Sequence, residues 1–136
     1  MEAEEKTNLE MGLPEKYTNN EVLSIRKISA LKDKIIEIGY LNNETGVEFT
    51  IRKGHPIYID ISGDYTPYEF EKISSIRKVG NINFKGNGDE IKNATWSSEY
   101  GFLYSICVLN GVIKEDEMRQ MIEDINLEKE RSYYEF

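Results

Sequence analysis

The fold is decided by a run near the end of the chain, Gly101-Phe102-Leu103-Tyr104-Ser105-Ile106-Cys107-Val108-Leu109, which follows Trp96. Residues 102–109 are apolar on both faces, and such strands lie centrally in a sheet. Acidic residues at 115–117 then favour a helix N-terminus. Apolar side chains recur with helical spacing at Met118, Met121, Ile122 and Ile125. We therefore predict a closing hairpin covered by one helix.

Alternation of apolar and polar residues predicts further strands before this run. Residues 36–40 and 47–51 alternate most regularly, and the turn-forming residues 42–46 between them predict a hairpin. Other predicted strands cover residues 22–28, 57–61, 76–79, 82–84 and 92–97, and residues 86–88 favour a hairpin turn. Residues 62–71 are predicted to be a surface loop that could hold a helical turn over 68–72. The fold class is therefore α+β: a curved antiparallel sheet of about six to eight short strands with one C-terminal helix packed on a face.

Length and composition predict a single globular domain. The chain has 136 residues, of which 39% are hydrophobic, enough to bury roughly two-thirds of the unfolded surface. Residues 1–11 are polar and are predicted to be a flexible leader. The α+β domain is predicted to span residues 12–127, and residues 128–136 to form a helix extension or a loose tail.

The charge balance disfavours one class of partner. There are 17 basic and 25 acidic residues, giving a formal net charge of −8. Such a surface repels a phosphate backbone, so nucleic acid is not expected as a partner, while a basic protein or a cation remains open. No apolar run approaches the ~18 residues of a membrane span, so no direct span is expected in this chain.

Residues that could carry catalysis or bind a metal are sparse. His55 is the only histidine and Cys107 the only cysteine, and together they cannot fill a tetrahedral zinc site. His55 lies in a strand connection with no partner identifiable by spacing, and Cys107 is predicted to be a buried strand residue. We therefore expect no enzyme activity, no cofactor and no metal centre built on these residues.

The predicted loop at residues 62–71 holds the candidate contact residues. Acids at Asp60, Asp64, Glu69 and Glu71 could hold a calcium ion, but their spacing matches no calcium-binding loop, and a solvated acidic loop is favoured. Tyr65, Tyr68 and Phe70 are aromatic residues in a segment that the sequence predicts to be exposed. Because aromatic side chains often anchor interfaces, these three are the predicted partner contact. An open sheet face is the other candidate surface.

Several segments together resemble one family. They are Gly12-Leu13-Pro14-Glu15-Lys16-Tyr17, Val47-Glu48-Phe49-Thr50-Ile51, Val79-Gly80-Asn81-Ile82, Ala94-Thr95-Trp96, Gly101 to Ile106 and Glu117 to Ile125. This order resembles a Firmicute domain of unknown function, found at the extracytoplasmic end of membrane-anchored, anti-sigma-factor-like proteins and in predicted lipoproteins. The chain departs from the family at Ile113-Lys114, where the family tends to place a capping Ser or Thr.

The resemblance implies a role and a location. It implies a non-catalytic binding or sensing module outside the cell membrane, anchored to it in the full-length protein, that contacts a protein or an envelope ligand. The alternative is a cytoplasmic acidic inhibitor or immunity-type protein, which would use its negative charge to mask a basic partner.

Overall fold

The described part of the chain folds into a seven-stranded sheet and one helix. The computed structural model describes residues 23–31, 35–54, 66–97 and 102–125. Its elements are β1 (Leu23–Leu31), β2 (Ile35–Asn42), β3 (Glu48–Gly54), β4 (Phe70–Ile76), β5 (Gly80–Asn87), β6 (Glu90–Ser97), β7 (Leu103–Asn110) and the helix α1 (Glu115–Asp124). The strand order is β1-β2-β3-β7-β6-β5-β4, with every neighbouring pair antiparallel. The sheet is antiparallel and does not close into a barrel, and α1 follows it near the end of the chain. This architecture confirms the predicted α+β class.

The predicted hairpin over residues 36–51 is confirmed as β2 and β3. The side-chain oxygen of Asn42 accepts hydrogen bonds from the backbone N–H groups of Glu44 (2.9 Å) and Thr45 (3.1 Å). Gly46 takes a φ of +79°, a conformation that other residues adopt at a cost. These local bonds fix the turn and therefore the register of the two strands.

The strand β7 is the fourth of seven, so the prediction that this run lies at the centre of the sheet is confirmed. It pairs with β3 on one side and with β6 on the other. Four consecutive residues, Tyr104 to Cys107, are buried, which explains why the segment is apolar on both faces. Cys107 is buried, as predicted.

Two predictions in the region between β3 and β6 are wrong. Residues 70–76 form the strand β4, where we predicted a loop with a helical turn at 68–72. Residues 77–79 form a turn, where we predicted a strand from 76 to 79; the Val79 N–H donates to the Ile76 carbonyl (3.0 Å), and Lys78 has a φ of +69°. The strand β4 was missed because it is exposed along most of its length and therefore carries no alternation of apolar and polar residues.

The apolar core lies between one face of the sheet and α1. Met118, Met121, Ile122 and Ile125 are buried in one cluster with Trp96, Tyr104, Ile106, Ile51 and Ile38, which confirms the predicted stripe. Trp96 stacks on Tyr104, its cross-strand neighbour, with ring centroids 5.1 Å apart. We call this side of the sheet the core face.

Polar contacts fasten α1 over the β4 end of the sheet. Arg119 donates to the Ser74 hydroxyl (2.9 Å) and to the Ser75 carbonyl (2.5 Å). Glu115 pairs with Arg119, four residues on along the helix, at 3.5 Å, and also with Lys72. These bonds hold the helix against β4 on the core face of the sheet.

Other predictions lie outside the described residues: the leader at 1–11, the strand at 57–61 and the tail at 128–136. The domain boundaries therefore stay predictions. Among the described residues, no helix is long and apolar enough to cross a membrane.

Candidate functional site

A groove lies on the face of the sheet opposite to the core face, which we call the polar face. Its volume is about 690 Å³, within the 300 to 1,000 Å³ range typical of ligand sites. It is lined by residues of β1, β2, β3, β7 and the segment before β4: Arg26, Glu37, Gly39, Tyr40, Glu48, Phe49, Thr50, Arg52, Thr66, Tyr68, Cys107, Val108 and Leu109. Among the described residues, five separate segments contribute to its lining.

The polar face is made by the strand register. One row of cross-strand partners crosses five neighbouring strands. From β2 to β5 its members are Glu37, Arg52, Ser105, Thr95 and Asn83. Cross-strand partners share a face of the sheet. The row lies on the face away from the core, and its members on β2 and β3, Glu37 and Arg52, line the groove.

One ion pair is built into the groove. The Nε atom of Arg52 donates to Oε1 of Glu37 at 2.9 Å, and these side chains are only 25% and 10% exposed. A partly buried pair of this kind is costly to break, because either partner alone would be left as a desolvated charge. We therefore treat Arg52 and Glu37 as a fixed part of the groove.

Two β-bulges place residues at the two sides of the groove. Register shifts leave Arg26 as an extra residue in β1, between Ile25 and Lys27, and Leu109 as an extra residue in β7, between Val108 and Asn110. Bulges re-aim side chains and are frequent next to functional sites. Arg26 is exposed and Leu109 is 64% exposed, so both are accessible to a ligand.

The floor between these bulges is formed by small, uncharged residues. Gly39, Thr50 and Cys107 are successive cross-strand partners on β2, β3 and β7. The Cys107 sulfur accepts a hydrogen bond from the Asn93 amide at 3.7 Å. A glycine inside a strand often marks a close approach by a ligand or another backbone, and the low floor gives the groove its depth.

The buried polar face contains one hydroxyl that stands out. Ser105 is fully buried, and its Oγ atom finds no hydrogen-bond partner among the residues that the structure describes. Buried hydroxyls normally have a partner, because desolvation without one costs about 1–3 kcal/mol. Ser105 is the cross-strand neighbour of Arg52, but it does not line the groove.

The three predicted contact residues have different positions. Tyr68 is half-buried and lines the groove, so it shares a site with the open sheet face that was the other candidate surface. Phe70 begins β4 and packs against the core. Tyr65 lies outside the described residues. The contact role of all three stays a prediction.

The acids of the predicted loop make protein contacts where they are described. Glu69 accepts a bond from the Gly88 N–H (2.6 Å), and Glu71 accepts one from the Asn83 amide (3.0 Å). Asp60, Asp64 and His55 fall outside the described ranges. Within those ranges, no three His, Cys, Asp or Glu residues are grouped so that they could hold a metal ion.

A perturbed carboxyl lies away from the groove, in the β5–β6 turn. The Lys114 ammonium donates to Asp89 and lowers the pKa of that carboxyl, first by the hydrogen bond and then by charge attraction. The pair is exposed and joins the turn to the residue before α1. Its geometry is that of a surface contact between two elements, separate from the groove.

Sequence reasoning missed most of the groove. Arg26, Arg52 and Leu109 are ordinary strand residues in the sequence, and nothing local marks a bulge at Arg26 or Leu109. The signal that could have found Arg52 and Glu37 is the hairpin register, which places them opposite each other on the face away from Ile38 and Ile51.

Comparisons of the chain with protein-family models, curated proteins and solved structures found no match.

Proposed function

We propose that this chain is a non-catalytic binding or sensing module that takes its ligand in the groove on the polar face. The observation that carries the proposal is the groove itself: about 690 Å³, lined by a fixed ion pair and by two accessible bulge residues. Sites of this size, with a few convergent polar groups, are typical of ligand binding.

The construction of the groove supports binding. Its floor lies on β2, β3 and β7, and the central strand β3 is paired along most of its length with β2 on one side and β7 on the other. Binding groups on strands are held more precisely than groups on loops. A ligand there would lose little free energy in ordering the protein, which favours affinity.

The proposal is tested by filling the groove. Thr50→Arg places a long side chain on the floor, and Asn81→Arg places the same side chain at an exposed position of β5 that does not line the groove. A library of small fragments is screened by thermal shift. Fragments that stabilise the wild type should also stabilise the Asn81→Arg variant but not the Thr50→Arg variant.

Two results would contradict the proposal. One is that the same fragments stabilise Thr50→Arg as well as the wild type, because binding would then be elsewhere. The other is that no fragment stabilises the wild type, although the unliganded melting temperatures show that all three proteins are folded.

We also propose that the module works outside the cell membrane, as the family resemblance implies. In the source cells, protease added to intact protoplasts should then degrade the protein. Degradation only after lysis of the protoplasts would instead support a cytoplasmic location, and with it the inhibitor alternative.

Within the described ranges, the charge distribution gives the inhibitor alternative little support. Acidic and basic side chains are nearly balanced among the described residues, so most of the net charge of −8 belongs to the rest of the chain. A surface that masks a basic partner needs concentrated negative potential. Arg26 and Arg52 in the groove run against that requirement.

A further inference from the structure

We propose that the groove selects an amphipathic anion, with an anionic group held at Arg26 and an uncharged apolar body that reaches Leu109 and Tyr68. This inference rests on the proposed function, and it adds the chemical class of the ligand. It follows from the different chemistry of the two ends of the groove, which the strand order separates.

The anion end is at Arg26. The other groove arginine, Arg52, is held by Glu37 at 2.9 Å. Arg26 makes no ion pair with any residue in the described ranges, and it is exposed at the bulge of β1. An exposed guanidinium can hold a carboxylate, sulfonate or phosphate through two parallel hydrogen bonds.

The apolar end is at β7. Leu109 is 64% exposed, and it lines the groove together with Cys107 and the aromatic residue Tyr68. Burial of exposed apolar surface there would favour a hydrocarbon or aromatic body. An exposed leucine alone needs no explanation, but here it is placed by a bulge at the side of a groove.

One acidic residue sets the direction of the ligand. Glu48 lies on β3, where it pairs with Asn110 next to Leu109, and it is half-buried in the groove lining. A carboxylate at this end repels an anionic group, since partly buried like charges interact more strongly than exposed ones. The anion is therefore favoured at Arg26 and disfavoured at Leu109.

The span between the ends limits the size of the body. From β1 to β7 there are three inter-strand steps, which amount to about 14 Å at the usual strand spacing. Gly39 and Thr50 form the floor between them and add no charge. The ligand should thus be uncharged along its middle and about as long as two or three fused or linked rings.

Two probes that differ only in charge test the inference. Anilinonaphthalene sulfonate carries one sulfonate, and anilinonaphthalene is the same ring system without it. Fluorescence titration gives the Kd of each for the wild type, Arg26→Gln and Leu109→Ser. Arg77→Gln and Ile73→Ser are matched controls, because both positions are exposed and neither lines the groove.

The wild type should bind the sulfonate more tightly than the neutral probe, and added salt should reduce this preference. Arg26→Gln should raise the Kd of the sulfonate about fivefold and leave the neutral probe unchanged, since an accessible charge contact is worth roughly that factor. Leu109→Ser should raise the Kd of both probes, and the two controls should change neither.

Two failures are distinguishable. If Leu109→Ser weakens both probes but Arg26→Gln affects them equally or not at all, the groove binds ligands and the selection of an anion is overturned. If Leu109→Ser and Arg26→Gln both leave the two probes unaffected, the probes bind elsewhere, and the proposed function is contradicted together with the inference.

Discussion

Removing the indole of Trp96 should test how the core closes. The side chain is 5% exposed, stacks on Tyr104 and lies opposite Ile82. Replacing a buried Trp by Ala costs about 3–5 kcal/mol, from lost burial and the cavity that remains. A compensating gain is expected, because the Trp96 Nε1–H finds no hydrogen-bond partner among the described residues, and a buried unpaired donor costs about 1–3 kcal/mol. We therefore expect Trp96→Ala to lower the free energy of unfolding by about 3 kcal/mol.

The assay is urea unfolding followed by far-UV circular dichroism, since the variants lack the only Trp as a fluorescent probe. Trp96→Phe is the matched variant: it keeps an aromatic ring against Tyr104 and removes the unpaired donor, so it should cost less than about 1.5 kcal/mol. The reasoning is refuted if Trp96→Ala costs below about 1 kcal/mol. It is also refuted if Trp96→Phe costs as much as Trp96→Ala.

Three further predictions concern the β4 half of the protein. Gly86→Ala should lower the free energy of unfolding in urea by about 3 kcal/mol or more, because a Cβ at this position would overlap a backbone carbonyl of β6. A decrease below about 1 kcal/mol would mean that β5 and β6 separate easily enough to avoid the overlap. An NMR titration should give Asp89 a pKa below its usual value, and in Lys114→Met that pKa should return towards the usual value. The pair with Lys114 stabilises the fold above the pKa that Asp89 has in the unfolded chain, and this stabilisation is lost as the pH falls through the pKa of the folded state. An unchanged pKa of Asp89 in Lys114→Met would count against the pair. Tyr68→Ser should leave stability within about 0.5 kcal/mol but weaken probe binding, whereas Phe70→Ser should destabilise the fold because Phe70 packs on the core; the reverse pattern would exclude Tyr68 from the groove.

Local patterns predicted the elements that are specified locally. The hairpin of β2 and β3 has a clear alternation and a turn held by Asn42, and α1 has an apolar stripe with acids in its first turn. The strand β4 has neither signal. Ile73, in its middle, is 72% exposed, so β4 forms because it pairs with β5, which its own residues do not reveal.

The groove could not be predicted because it depends on register and strand order. Arg26 and Leu109 lie 83 positions apart in the sequence and come to one groove only when β7 pairs with β3. The aromatic content of residues 65–70 did point to Tyr68, which lines the groove. It could not separate Tyr68 from Phe70, since the difference is that Phe70 is already part of a strand.

The measurement that tests the central claim most directly is an amide chemical-shift map recorded while anilinonaphthalene sulfonate is added to the isotopically labelled protein. The account predicts that the largest shifts occur at Gly39, Thr50 and Cys107, on the polar face of the sheet. Largest shifts at α1 or along β4 instead, with the groove amides unchanged, would contradict it.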